Sequence, residues 1–111
     1  MVNGMYSVSF AGPGGQSGSG VAAVKDGSIN GGDAGYGYLG NFTANGPKVT
    51  ATLRIVQHQQ GHQSVFGPIK DFTLSLSGTT EGERFNMSGG IPGQPNQTIT
   101  IRGRKFADLA H

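Results

Sequence analysis

The chain of 111 residues has no cysteine and no tryptophan, and only 13% of its residues are charged. The absence of cysteine excludes disulfides, thiolate nucleophiles and thiolate metal ligands. The formal net charge is +2, and Arg102, Arg104 and Lys105 form the only basic cluster in the sequence. Because a nucleic-acid-binding protein needs a broad basic face, we expect no direct binding to nucleic acid.

Long hydrophobic runs are also missing. No stretch approaches the ~18 apolar residues of a membrane helix. The first residues show no basic segment followed by an apolar run, which is the pattern of a secretory signal. The polar positions of the alternating segments hold Ser, Thr and Arg, which lipid would reject, so a membrane β-barrel is disfavoured too. The expectation is a cytoplasmic protein without membrane contact.

Glycine, by contrast, is abundant, with 21 residues. Such a content is typical of a disordered chain or of a β-protein with many tight turns. The hydrophobic pattern favours the β-protein, because large apolar residues alternate with small or polar ones in short segments. The alternation predicts eight strands, at residues 5–10, 20–25, 28–30, 36–42, 48–58, 71–76, 84–88 and 98–102.

Short connections between these segments favour antiparallel neighbours, since parallel pairing needs crossovers of about a dozen residues or more. Closure into a barrel would remove exposed sheet edges. The sequence therefore predicts one all-β domain over residues 1–111, an eight-stranded up-and-down antiparallel barrel, with a β-sandwich as the alternative. Residues 103–111 are predicted to be a C-terminal tail or a short helical turn. Gly37, Gly40 and Gly78 fall inside strands and predict sharp coiling or bulges.

The interior of such a barrel is just wide enough to be filled by side chains or to hold one small ligand. Most of the aromatic residues fall on the predicted inner faces, whereas Ala22, Ala51 and several glycines leave space beside the rings. A filled core and an apolar cavity are both compatible with this pattern. The candidate cavity residues are Tyr6, Val8, Phe10, Tyr36, Tyr38, Leu53, Ile55, Phe72, Leu74, Phe85 and Met87.

Motifs that could carry chemistry are few. Residues 35–40 read G-x-G-x-x-G, but no helix or suitably placed acid follows, so a dinucleotide site is not expected. His58 and His62 lie four apart in a Gln- and Gly-rich loop without a third ligand, so we expect exposed loop histidines and no metal. Asp33 precedes an aromatic strand and is predicted to bond nearby backbone N–H groups, or alternatively to bind a ligand. We expect neither an enzyme nor a cofactor.

Several segments of the chain are nevertheless distinctive. The most specific element is Asp26-Gly27 followed by Gly31-Gly32-Asp33. Other landmarks are residues 4–10, residues 18–21, Tyr36, Tyr38, His58, Ser64, Val65, Asp71, Phe72 and Leu74. Together these segments touch about two-thirds of the chain, and in this succession they resemble GrlR-like proteins.

GrlR-like proteins are negative regulators of type III secretion gene expression. The resemblance implies a lipocalin-like barrel that forms a homodimer, has an apolar interior and acts by sequestering a protein partner, a transcriptional activator. The family's acidic run should fall near residues 43–47, where this sequence has no carboxylate. The protein partner is therefore expected to be a different one, or one that is no transcription factor. The alternative function is binding of a small apolar, lipid-like molecule in the barrel interior, and such a ligand would be able to modulate partner binding.

Overall fold

The computed structural model describes residues 1–61, 64, 66 and 69–110. Its eight strands are β1 (Gly4–Ala11), β2 (Ser17–Lys25), β3 (Ser28–Gly32), β4 (Tyr36–Asn45), β5 (Lys48–Gln57), β6 (Asp71–Glu81), β7 (Arg84–Gly90) and β8 (Thr98–Ala107). Each strand pairs antiparallel with the next, and β8 pairs with β1 to close the barrel. The predicted eight-stranded up-and-down barrel, lipocalin-like in architecture, is confirmed, and the sandwich alternative is wrong.

The alternation of side chains places the core. In β5 the residues Val49, Ala51, Leu53 and Ile55 are buried, and the intervening polar residues are exposed. Strands β6 and β7 follow the same pattern. The inner faces of the strands thus share one hydrophobic core inside the barrel. Among the described residues there is no helix of the length and apolarity needed to span a membrane.

The two ends of the barrel differ. At one end, here the closed end, two-residue turns at 26–27, 46–47 and 82–83 join neighbouring strands. Asp26 and Gly27 both have positive φ, 49° and 88°, which a tight hairpin turn of this kind requires. Asn3 fastens this turn, because its side chain donates to Asp26 Oδ1 at 3.1 Å and accepts from the Asp26 N–H at 3.0 Å. At the opposite end, the open end, the connections are longer.

The end of the chain differs from the prediction. β8 continues to Ala107, so the tail or helical turn predicted from residue 103 is wrong for residues 103–107. Backbone pairing with β1 extends the strand, and the Lys105 N–H also donates to the Glu83 carbonyl at 2.8 Å. The Lys105 side chain is only 11% exposed and forms an ion pair with Asp108 at 2.6 Å. Tertiary pairing thus outweighs the local helical tendency.

Glycines within the strands allow neighbouring backbones to approach closely. A Cβ at Gly40 would overlap the Thr52 carbonyl oxygen and lie 2.9 Å from Leu53 Cα. A Cβ at Gly78 would lie 2.7 Å from Met87 Cα. The strand register is continuous at Gly37, Gly40 and Gly78, so they do not form the predicted bulges. Among the described strands, the one irregularity of pairing lies between Met5 and Tyr6.

We expect Gly40→Ala to lower the free energy of unfolding by about 1–3 kcal/mol, because the added methyl group has no space against the β5 backbone. Gly37→Ala is the matched control on the same strand, since a Cβ there would have its nearest neighbours at 3.9 and 4.0 Å. Urea denaturation of both variants tests this. Equal destabilisation by the two substitutions would contradict the close-approach argument.

Candidate functional site

An apolar cavity of about 290 Å³ opens at the open end of the barrel. Its apolar wall comes from inward-facing side chains of β1 to β6 and β8: Val8, Phe10, Ala22, Ile29, Tyr36, Tyr38, Leu53, Ile55, Phe72, Leu74, Ile99 and Ile101. Residues Ser17–Ser19 of β2 and Asp33–Gly35 of the β3–β4 turn, together with Ser64, complete the lining. The cavity therefore occupies the part of the barrel interior near the open end, and small and polar residues form its rim.

The predicted cavity residues divide into two groups. Eight of them line the cavity: Val8, Phe10, Tyr36, Tyr38, Leu53, Ile55, Phe72 and Leu74. Tyr6, Phe85 and Met87 do not, because they are packed at the closed end with exposed fractions of 1%, 5% and 1%. The interior is thus packed with side chains at the closed end and hollow at the open end. Of the two interpretations that the sequence allows, the filled core applies to the closed end and the apolar cavity to the open end.

Tyr6 and Phe85 form the plug of the closed end. Their ring centroids lie 5.5 Å apart, and the Tyr6 hydroxyl donates to the Val2 carbonyl at 2.7 Å. Burial raises the pKa of the Tyr6 hydroxyl above its ordinary value. A Cβ at Gly103 would overlap the Phe85 ring, so this glycine provides space for the plug. Alternation identified these side chains as inward-facing but did not show how deep along the barrel axis each one lies.

Two glycines of β2 shape the mouth of the cavity. A Cβ at Gly18 would lie 2.5 Å from the Phe10 ring, and a Cβ at Gly20 would lie 2.7 Å from the Tyr38 hydroxyl. These positions leave space for Phe10 and Tyr38, whose rings meet edge-to-face at 6.1 Å. The two rings are able to lie in the cavity wall because β2 has no side chain at Gly18 and Gly20.

Sequence reasoning missed four apolar residues of the cavity wall and one buried residue next to it. Ala22, Ile29, Ile99 and Ile101 share the inward alternation of their strands, and that signal was sufficient to include them. Phe66, in contrast, lies in the irregular β5–β6 connection, where no periodicity marks it. Its side chain is nevertheless only 8% exposed.

Phe66 packs edge-to-face on Phe72, with centroids 5.4 Å apart. In the same connection, the Ile69 carbonyl accepts a hydrogen bond from the Tyr36 hydroxyl at 2.9 Å. These contacts hold part of the β5–β6 connection against the open end, next to two residues of the cavity wall. His62, predicted to be an exposed loop histidine, and the landmark Val65 lie outside the described residues, as does His111.

Asp33 organises the β3–β4 turn. Its Oδ1 accepts hydrogen bonds from the N–H groups of Gly35 and Tyr36, both at 2.9 Å, and its Oδ2 accepts one from the Tyr38 hydroxyl. The predicted bonding of Asp33 to nearby backbone N–H groups is confirmed. The same carboxylate also lines the cavity, and its bond to Tyr38 reaches across the turn to a wall residue.

The hydrogen bond to Asp33 also affects the chemistry of Tyr38. Burial, followed by the hydrogen bond and the charge of Asp33, raises the pKa of the Tyr38 hydroxyl far above its ordinary value. The hydroxyl therefore keeps its proton and directs it to the carboxylate. Burial without this acceptor would leave the hydroxyl hydrogen without a partner.

The other residues of the Asp26–Asp33 motif have structural roles. A Cβ at Gly31 would lie 2.5 Å from Ala22 Cα, and one at Gly32 would lie 2.8 Å from the Tyr36 carbonyl oxygen. Both glycines thus permit close strand pairing beside the Asp33 turn. The G-x-G-x-x-G segment after it runs into strand β4 and begins no helix.

His58 is exposed, as predicted, and joins the start of the β5–β6 connection to the Asp33 turn. Its Nε2 lies 2.9 Å from the Asp33 carbonyl oxygen, and its backbone N–H donates to the Gly35 carbonyl at 2.9 Å. Within the described part of the chain, no group of three His, Cys, Asp or Glu side chains is placed to hold a metal ion.

The three residues of the basic cluster do not share one face of the barrel. Arg102 and Arg104 are exposed on the outer face of β8, and Arg104 lies directly across from Arg84 in the register of β7 and β8. Lys105 belongs to the opposite side of the strand and is paired with Asp108. The outer group therefore consists of three arginines, and the absence of nucleic-acid binding stays a prediction.

We expect Tyr38→Phe to destabilise the fold by about 1–3 kcal/mol, since it removes a donor from a partly buried carboxylate. Tyr36→Phe, which loses a bond to a neutral carbonyl, should cost less.

The raised pKa of the Tyr38 hydroxyl adds a pH dependence to the stability. Stabilisation from Tyr38 is complete below the ordinary tyrosine pKa of about 10 and is lost as pH rises above it. Between pH 8 and pH 11 wild type should therefore lose about 1 kcal/mol more stability than Tyr38→Phe, measured by urea denaturation. Parallel pH curves for the two proteins would contradict this assignment.

Comparison with models of known protein families found no match, and a search of curated proteins found no similar sequence.

Proposed function

We propose that this protein is a non-enzymatic binding protein that holds one small apolar molecule in the cavity at the open end of the barrel. The observation that carries the proposal is the hollow of about 290 Å³ with a wall of apolar side chains. Dry apolar cavities of about 150 Å³ already accept benzene. At about 30 Å³ for each water-sized group, this cavity has space for a ligand of about ten non-hydrogen atoms.

The composition of the cavity wall supports binding rather than catalysis. Among the described lining residues, Asp33 is the one acidic group, and its two oxygens accept three hydrogen bonds. No lysine, arginine or histidine is among them. A general acid–base pair needs two groups with different proton affinities near the reacting atoms, and this wall does not supply such a pair. The Tyr38 hydroxyl, which is held protonated, is no general base either.

The expected affinity is modest. At about 0.5 kcal/mol for each non-hydrogen atom, a ligand of about ten atoms would bind with a Kd on the order of 0.1–1 mM. Most of the favourable free energy would come from removing apolar ligand surface from water, since the wall is formed before the ligand arrives. Ligands that fill the hollow completely would bind more tightly than smaller ones.

A second candidate function, supported by the resemblance to GrlR-like proteins, is a negative regulator that works as a homodimer in the cytoplasm and sequesters a transcriptional activator. The observation that favours it is an apolar outer face on β2 to β5. One row of this face runs in register across four strands as Val21, Gly32, Gly37 and Val56. The two glycines make the middle of the row flat, and Val21 is 47% exposed.

The next row of the same outer face contains Leu39, which is also 47% exposed. Its neighbour Arg54 is paired with Asp71 through hydrogen bonds of 3.1 and 2.7 Å, so the edge of the face carries no net charge. A two-fold interface brings the same patch of both subunits together, and an uncharged patch avoids like-charge repulsion there. We therefore take a second copy of this chain as the occupant of the face.

For the cavity, we expect Ala22→Leu to abolish binding of octan-1-ol, measured by isothermal titration calorimetry. Ala22 lines the cavity and is only 2% exposed, so the larger leucine side chain would fill the hollow. Ala44→Leu is the control, since Ala44 is exposed and does not line the cavity. Unchanged binding in a folded Ala22→Leu protein would rule out the cavity as the site.

For the outer face, we expect Leu39→Asp to convert a wild-type dimer into a monomer in sedimentation equilibrium, because two carboxylates would meet across the two-fold axis. Ser88→Asp places the same charge on exposed β7 and should leave the dimer intact. In cells carrying a type III secretion reporter, wild type should lower expression and Leu39→Asp should not. A wild-type protein that is monomeric at all concentrations would contradict the second candidate function.

A further inference from the structure

The polar groups of the cavity are unequally divided between donors and acceptors. Asp33 and the Tyr38 hydroxyl form the polar spot of the wall, and both line the cavity. Tyr38 is 7% exposed, and Asp33 is half-buried. A ligand that reaches this spot meets these two groups with little competition from water, so their remaining hydrogen-bonding capacity determines which ligand end fits.

The hydrogen atoms at this spot are already committed. The Asp33 Oδ1 accepts from two backbone N–H groups at 2.9 Å, and Oδ2 accepts the single hydrogen of the Tyr38 hydroxyl. A carboxylate has about four lone-pair sites and a phenolic oxygen has lone pairs of its own. What remains for a ligand is acceptor capacity on Asp33 Oδ2 and on the Tyr38 oxygen. No donor remains there.

We infer that the ligand carries a hydrogen-bond donor at its polar end, as an aliphatic or aromatic alcohol or an amine does, and that it is not an anion. This inference rests on the proposed function, since it names the class of molecule for the same cavity. A donor on the ligand is able to reach Asp33 Oδ2 while the apolar remainder lies against the isoleucine and leucine side chains of the wall. An ammonium group gains the additional attraction of the carboxylate.

An anionic ligand is disfavoured by the charges around the cavity. A fatty carboxylate would meet the Asp33 carboxylate, and among the described lining residues no lysine, arginine or histidine is present to compensate. Moving an unpaired charge from water into such surroundings is costly. The cavity thus excludes the commonest class of lipid-like ligand, the fatty acids, and this exclusion is part of its specificity.

The serines of the lining do not reverse this preference. Ser17 and Ser19 are exposed at the rim, where water competes for them, and Ser64 belongs to the β5–β6 connection. A serine hydroxyl rotates and acts as donor or acceptor as needed, so it does not discriminate between ligand ends. The preference comes from the Asp33–Tyr38 pair, in which the direction of the hydroxyl hydrogen is fixed.

Four probes of matched size separate the possibilities: octan-1-ol, octylamine, nonan-2-one and octanoate, each titrated into wild-type protein at neutral pH by calorimetry or ligand-observed NMR. We expect octylamine and octan-1-ol to bind about five- to tenfold more tightly than nonan-2-one, which has an acceptor but no donor. Octanoate should bind at least about 100-fold more weakly than octylamine.

Asp33→Asn provides the matched variant. The amide oxygen keeps the two backbone hydrogen bonds of the turn, whereas the amide nitrogen donates to the Tyr38 oxygen and turns its hydrogen toward the cavity. The variant should therefore bind nonan-2-one more tightly than wild type does, by about fivefold, and octylamine more weakly, by about tenfold. Glu81→Gln removes one negative charge from the exposed closed end and should leave all four affinities unchanged.

The outcomes distinguish the inference from the function on which it rests. Equal binding of all four probes, or a preference for octanoate, would overturn the donor inference and leave the cavity as a binding site. Failure of every probe to bind would overturn the proposed function as well. The comparison of the four probes on wild-type protein does not depend on whether Asp33→Asn folds. The Tyr38→Phe variant frees Asp33 Oδ2 for a second donor from the ligand, so it should strengthen octylamine binding relative to nonan-2-one.

Discussion

The hydrogen bonds of the Asp33 carboxylate hold together the part of the barrel in which the cavity lies. Two of them shape the turn between β3 and β4, and the third orients the Tyr38 ring that forms one wall of the hollow. The backbone carbonyl of Asp33 also meets His58, which starts the long β5–β6 connection. Asp33 thus links the turn, a wall strand and the start of the β5–β6 connection. Its carboxylate, which accepts the hydrogen bond from the Tyr38 hydroxyl, is the one acidic group among the described residues that line the cavity.

The hollow exists because the two ends of the barrel are packed differently. At the closed end Tyr6, Phe85 and Met87 are packed inside the barrel, with exposed fractions of 1%, 5% and 1%. At the open end Gly18 and Gly20 leave space for the Phe10 and Tyr38 rings to lie in the wall, and the small side chain of Ala22 is part of the lining. A wall that is already formed does not have to reorganise when a molecule enters, which lowers the free-energy cost of association.

The sequence was sufficient for the fold and for most of the wall. Period-two alternation predicts all eight strands and the inward face of each, because a barrel repeats one simple pattern without helices to interrupt it. It does not determine how deep a residue lies along the axis, since this depends on the stagger between strands. For this reason the prediction that Tyr6, Phe85 and Met87 line the cavity is wrong, since they are packed at the closed end. Phe66 lies in a connection whose sequence has no periodic pattern, so nothing in the sequence marks it as buried. The extension of β8 to Ala107 depends on pairing with β1, which is far away in the sequence.

The pairing of β1 with β8 has a consequence for synthesis on the ribosome. The first strand emerges early, but its second neighbour is complete only at Ala107, so at about 5–20 residues per second one edge of β1 stays open for several seconds or more. During that time the nascent sheet exposes unpaired backbone groups and an apolar face that no strand yet covers. Contacts between residues so distant in the chain also slow folding. Until Ala107 has been synthesised, the chain therefore has an open strand edge that the closed barrel does not have.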